Sequence, residues 1–286
     1  MLDLTQRADL ATLASVVADA QAIVPPALMM LVGAMARDLR FAYAHNLVAQ
    51  RRTGDIDFGF AVDSWKAFRA LRTGLLAAGR FDELAEMSRL THAASRTRID
   101  LIPFGELEGP GGDIAWPPHG DVRTRVIGYR EARSAATPVR LPGGVELLTV
   151  NPPGLLLLKF FAFADRADVS PKKDASDIQF VLRHYLEAGN EERLYGEHAD
   201  LLDAHDFDYD AAGARIAARD VSALITEDDT RQELRRILDI EVDTKGQRKL
   251  LSQIDRGMTR ETLDRQLRAF ADEFVNRRSE PTSRRQ

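Results

Sequence analysis

The chain has 286 residues, 44% of them hydrophobic and 29% charged, a size and composition ordinary for a soluble globular protein of one or two domains. It contains no cysteine, which excludes structural disulfides and thiolate metal or redox centres and suits a reducing cytoplasm. A net charge of −5 argues against a bulk polyanion binder, and no apolar run reaches the roughly 20 residues needed to span a membrane.

Residues 3–23 read as a helix, with Leu10, Leu13, Val17 and Ala20 at helical spacing, and the acids near the start argue against a signal peptide. Pro25-Pro26 ends that helix, ALMMLVG reads as a short buried strand stopping at Gly33, and AMARDLRFAYAHNLVAQ as the next helix. The strand TGDIDFGFAV follows, then an Asp63-Ser64 start signal and the helix WKAFRALRTGLLAAG. SRLTHA and RIDLIPF read as strands. The Gly- and Pro-rich stretch 105–120 reads as loop, with two short strands expected near Pro138–Leu141 and Val145–Val150. Beyond Asn151-Pro152-Pro153 the periodicity is helical throughout. The expectation is an α+β protein with a mixed catalytic lobe at 1–150, a helical lobe at 151–286 and a basic, frayed C-terminal tail.

Within DIDFGF, Asp55 and Asp57 share one face of a strand, while Ile56, Phe58 and Phe60 share the other. Two carboxylates so placed repel each other unless a cation lies between them, and Mg²⁺ prefers oxygen ligands and substrate phosphates. Alone the pattern is common. D-x-D recurs at Asp206, Asp208 and Asp210, where it reads as a solvated loop with a helix cap.

Three further features point the same way. Gly33 ends a strand and opens a helix, so the backbone can come close to a phosphate or can simply make a tight turn. Asp100 sits in the apolar run RIDLIPF, either as a third ligand or as an edge residue facing water. In the helical lobe, Lys159 interrupts GLLLLKFFAFADRA with Arg166 two turns on, as a phosphate ligand or a snorkelling core lysine. Lys172 and Lys173 then precede Asp174 and Asp177, acids that also suit the first turn of a helix.

Together, Gly33 with its helix, R-x-T-x-D-I-D, a third Asp, K-F-x-A-x-x-x-R and K-D-x-x-D-I resemble the polymerase-β-like nucleotidyltransferase superfamily. Within it the chain resembles the AbiEii-type abortive-infection nucleotidyltransferases, which include toxins of type IV toxin–antitoxin systems; the resemblance runs from about Leu28 to Val181. It implies metal ligation (Mg²⁺ or Mn²⁺) by Asp55, Asp57 and Asp100, with Asp100 also activating the attacking hydroxyl. It implies phosphate contacts from Gly33, Ala34 and Arg37, neutralisation of the triphosphate by Lys159, and a nucleotide or acceptor surface lined by Arg166, Lys173, Asp174 and Asp177. Lys159 and Asp174 thereby join the three ligands as catalytic residues. The family turn is usually Gly-Gly or Gly-Ser, so Gly33-Ala34 lacks a hydroxyl that could touch phosphate.

The function implied is transfer of a nucleotide from a nucleoside triphosphate to RNA, tRNA ends in particular, by a two-metal mechanism in a cytoplasmic toxin with a cognate antitoxin. Two alternatives stay open: transfer to a small-molecule or protein hydroxyl, and a degenerate module that binds nucleotide or a partner without catalysis. Against the second stand three carboxylates that look uncompensated. A glycosidase-like carboxylate pair fits poorly, because its members lie about 5–10 Å apart on different elements. Arg215 and Arg219 read as a solvated face, and no histidine falls at ligand spacing.

Overall fold

The computed structural model describes residues 1–49, 54–169, 171–203, 205 and 207–276. Arg51 and Thr53 of the R-x-T-x-D-I-D stretch, Asp206 and the basic tail from Arg277 lie outside them. The chain is mixed α+β and divides into two compact units, Met1–Leu155 and Leu156–Gln286.

The first unit holds an eight-stranded mixed sheet. In chain order its elements are β1 (Leu2–Asp3), α1 (Ala11–Gln21), β2 (Met29–Val32), α2 (Gly33–Asp38), β3 (Asp55–Ala61), α3 (Trp65–Ala77), β4 (Phe81–Glu83), β5 (Arg89–His92) and β6 (Arg98–Phe104). A two-stranded ribbon of β7 (Asp113–Ala115) and β8 (Arg123–Arg125) follows, then α4 (Tyr129–Ser134), β9 (Thr137–Arg140) and β10 (Glu146–Thr149). The sheet order is β1-β9-β10-β2-β3-β6-β5-β4. Its centre, β2 and β3, is apolar because Met29 to Val32 are all buried, as are Ile56, Phe58 and Phe60 on the inward face of β3.

Local chemistry explains the element ends. The Ser64 hydroxyl accepts a hydrogen bond from the Ala67 N–H at 3.2 Å and so starts α3. After α2 the helix widens to a π-helical turn at Leu39–Tyr43. From that turn Arg40 donates to the carbonyls of Thr137, Thr149 and Val150 at 2.7, 2.7 and 3.1 Å, tying the helix to β9 and β10. Burial pushes the Arg40 pKa down to about 10.

Four expectations are corrected here. The first helix is shorter than 3–23, because Leu2–Asp3 pairs in parallel with Val139–Arg140 as an edge strand. The helix after Gly33 ends at His45, short of Leu47. The stretch 105–120 is not all loop, since Asp113–Ala115 pairs with Arg123–Arg125. The helical character expected throughout the second lobe is interrupted near its end, where a single-turn helix at Leu250–Ser252 is followed by a separate helix from Arg260.

The second unit is helical: α5 (Pro152–Arg166, begun in the first unit), α6 (Pro171–Arg183), α7 (Glu191–Tyr195), α8 (Tyr209–Leu224), α9 (Asp228–Val242) and α10 (Arg260–Asn276). Asp208 caps α8 by accepting from the Ala211 N–H at 2.7 Å, the role its spacing suggested. Small residues of α8, including Ala214, Ala217 and Ala218, let α10 pack along it through Leu263, Leu267 and Phe270.

Charges organise the outer part of this unit. Arg193 grips both oxygens of Asp220 at 2.7 Å, and the Tyr185 hydroxyl donates to Asp220 at 2.6 Å. Arg219 pairs with Asp200 and Glu273, and Arg215 lies 3.4 Å from Glu273. The expectation of a solvated face at Arg215 and Arg219 is corrected, because Arg219 is buried among acids supplied by two other elements.

Candidate active site

Strand register assembles the carboxylates. β3 and β6 run parallel with Asp55 opposite Arg98 and Asp57 opposite Asp100; β5 runs antiparallel to β6 with Arg89 opposite Asp100. Side chains two apart on a strand share a face. Asp55, Asp57, Arg98 and Asp100 therefore stand on one face of neighbouring strands about 4.8 Å apart.

Two of the three carboxylates are engaged by arginines. Arg98 contacts the Asp55 carboxylate. The Arg89 Nε donates to Asp100 at 3.0 Å, and its Nη1 donates to Glu86 at 2.8 Å. Burial works against the Arg89 charge, but Asp100 and Glu86 outweigh it and hold its pKa above the ordinary arginine value. The expectation of uncompensated carboxylates is thus corrected. Among the described residues, no three of His, Cys, Asp and Glu are grouped so that they could hold a metal ion.

Gly33 closes against the third carboxylate. Val32 pairs with Asp57 across β2 and β3, so the next residue lies beside the Asp57 side chain. Gly33 has φ +70°, and a Cβ there would fall 2.1 Å from Asp57 Oδ2. Glycine is therefore required twice, for the left-handed backbone and for the room the carboxylate occupies. An all-carboxylate donor set against a side-chain-free turn suits a hard divalent cation such as Mg²⁺ or Mn²⁺, so Asp55, Asp57 and Asp100 fit that group in kind.

Of the other residues expected at this turn, Ala34 is buried. Arg37 is buried too, its Nε and Nη2 held by Asp38 at 2.9 and 2.6 Å.

In the second unit, α5 and α6 bring together Lys159, Arg166, Asp174 and Asp177. The Lys159 ammonium lies 3.1 Å from Asp174 and 2.5 Å from Asp177, and Arg166 reaches the other oxygen of Asp174 at 2.8 Å. The two aspartates are 2% and 1% exposed, so they do not line an open nucleotide or acceptor surface as the resemblance implied. Burial disfavours the Lys159 charge, yet Asp177 and Asp174 together raise its pKa above that of an ordinary lysine. Lys159 neither snorkels to water nor stands free. Lys172 and Lys173 are exposed at the start of α6.

Sequence reading missed the two arginines. Arg98 had a signal, because it lies two residues before Asp100 and so shares its face. Arg89 had none, since only the β5–β6 register brings it opposite Asp100.

The mixed sheet thus presents D-x-D beside a glycine turn, with a third Asp on the neighbouring parallel strand. The family model "Nucleotidyl transferase AbiEii toxin, Type IV TA system" matches residues 25–285, and the chain belongs to that family. Among solved structures, the crystal structure of JHP933 from Helicobacter pylori aligns at 13% identity over 95% of this chain and 94% of that one, with a TM-score of 0.35. No curated protein matches the chain. No helix of the described residues is long and apolar enough to cross a membrane.

Proposed function

We propose that the chain is a Mg²⁺- or Mn²⁺-dependent nucleotidyltransferase that moves a nucleotide from a nucleoside triphosphate to an RNA hydroxyl, tRNA ends in particular. In this reading it acts as a toxin opposed by a cognate antitoxin. The observation that carries the reading is the packing of Gly33 on Asp57, with Asp100 beside Asp57 on the parallel strand.

Asp55, Asp57 and Asp100 hold the divalent ions, which supply charge stabilisation to phosphoryl oxygens when bound. Gly33 and Ala34 present backbone N–H groups where no side chain intervenes. Asp100 accepts the proton of the attacking hydroxyl. In the helical unit, Lys173 stands exposed at the start of α6. Lys159 and Arg166 act through Asp174 and Asp177, fixing α6 by internal ion pairs.

The test mixes purified protein with Mg²⁺, each α-labelled ribonucleoside triphosphate in turn, and total RNA, with folded Asp57→Ala protein as control. Label in RNA from one preferred nucleotide, lost in the variant, is the expected result. Label on protein would move the acceptor to a side-chain hydroxyl, and label retained by Asp57→Ala would overturn the metal assignment.

Nucleotide binding without transfer is the second reading. It is favoured by Ala34 in place of a hydroxyl residue and by the engagement of Lys159 with two aspartates. Measurable nucleotide binding with no label anywhere would support it.

A further inference from the structure

We infer that Arg98 and Arg89 are built-in counter-ions of the metal site. They hold Asp55 and Asp100 while the divalent ion is away, and they turn to the nucleotide phosphates when metal and nucleotide arrive together. The inference rests on the proposed metal-dependent transfer and assigns two residues that reading does not use.

Register carries it first. Arg98 stands opposite Asp55, and Arg89 opposite Asp100, so each guanidinium meets its carboxylate across a strand pair that the sheet fixes. Arg89, Asp100 and Asp57 form a single row over three strands, with Arg98 and Asp55 the next row along the same face. Carboxylates that share that face repel one another, and two guanidiniums offset the repulsion. A divalent ion that needs the same oxygens must displace them.

Exposure carries it second. The Arg98 side chain is 45% exposed and its partner Asp55 33% exposed, so the contact is a solvated ion pair, weak and readily exchanged. Arg89 is also tied to Glu86, which gives it a second resting partner when Asp100 is taken by metal. A guanidinium released beside the metal site is the right group for phosphate, since its planar donors match phosphate oxygens in pairs. The device makes metal alone bind poorly and metal with triphosphate bind well.

The experiment measures two affinities on the full chain: Mn²⁺ alone, by the loss of its free-ion electron paramagnetic resonance signal, and Mg²⁺-triphosphate, by isothermal titration. Arg98→Ala and Arg98→Gln are compared with the native protein, each first shown to be folded by its unfolding transition. The expected result is opposite in sign for the two ligands. Mn²⁺ alone binds roughly three- to tenfold tighter when the competing cation is removed, while Mg²⁺-triphosphate binds weaker by a similar factor. Arg98→Lys restores native behaviour toward Mn²⁺ because it keeps the charge. A purely structural arginine would weaken both ligands together.

Asp57→Ala separates the two claims. If it abolishes Mn²⁺ binding while both Arg98 variants bind Mn²⁺ as the native protein does, or more weakly, the counter-ion role is overturned and the metal site stands. If Asp57→Ala binds Mn²⁺ like the native protein, the metal reading fails and takes this inference with it.

Discussion

At the scale of single residues, Gly33 and Gly79 make a natural comparison. Both have positive φ, +70° and +68°, but a Cβ at Gly79 would meet nothing within 4 Å, whereas at Gly33 it would strike Asp57. Gly79→Ala therefore costs only the left-handed backbone penalty, about 1–2 kcal/mol. Gly33→Ala adds displacement of a carboxylate. Urea unfolding should show the larger loss for Gly33→Ala, and Mn²⁺ titration should show weakened binding for it alone. Equal losses with equal Mn²⁺ affinity would mean that the Gly33–Asp57 contact has no part in the site.

At the scale of elements, the buried face of α10 contains an anomaly. Gln266 is fully buried on α10, and neither atom of its amide has a hydrogen-bond partner among the described residues. Buried polar atoms without partners cost about 1–3 kcal/mol each. Gln266→Leu should raise the midpoint of thermal unfolding; a fall would show that ordered water satisfies the amide.

What the sequence disclosed follows the same division between local and non-local physics. The alternation in DIDFGF exposes a strand with one apolar and one acidic face, and Ser64 and Asp208 announce their helices, because these signals act over three or four residues. The pairing of Asp113–Ala115 was hidden by short strands in a Gly- and Pro-rich setting. The partners of Lys159, and the arginines on Asp55 and Asp100, were hidden because they depend on helix packing and strand register. A lysine in an apolar helix looks the same in sequence whether it ends in water or between two aspartates.

At the scale of the whole molecule, stability should depend on pH at both ends of the range. His198 is buried, with its Nε2 3.1 Å from Arg193 and its Nδ1 3.1 Å from Arg219. Burial, opposed by Glu197 and reinforced by the two arginines, holds its pKa below the ordinary histidine value. The unfolded chain therefore takes up this proton more readily than the folded one. The associated stability is complete above about pH 6.5 and is lost as pH falls below that value through the folded pKa. Lys159 acts in the opposite sense. Its raised pKa gives stability that is complete below about pH 10.4 and is lost as pH rises through the folded value. Urea midpoints measured from pH 5 to 11 should show a plateau between these limits, and His198→Gln should flatten the acid side. An unchanged acid slope in that variant would remove His198 as its source.

The parallel pairing of β3 with β6 also sets a timetable. Parallel neighbours cannot be joined by a hairpin, so residues 62–97 must be synthesised as a crossover before Asp57 and Asp100 can meet. The next neighbour of β2 on its other side is β10, which leaves the ribosome later still. Contacts so distant along the chain form slowly, after their loops have closed. A nascent chain that displays Asp55 and Asp57 alone therefore lacks the parallel neighbour of β3, and the proposed site is completed only after the sheet has closed.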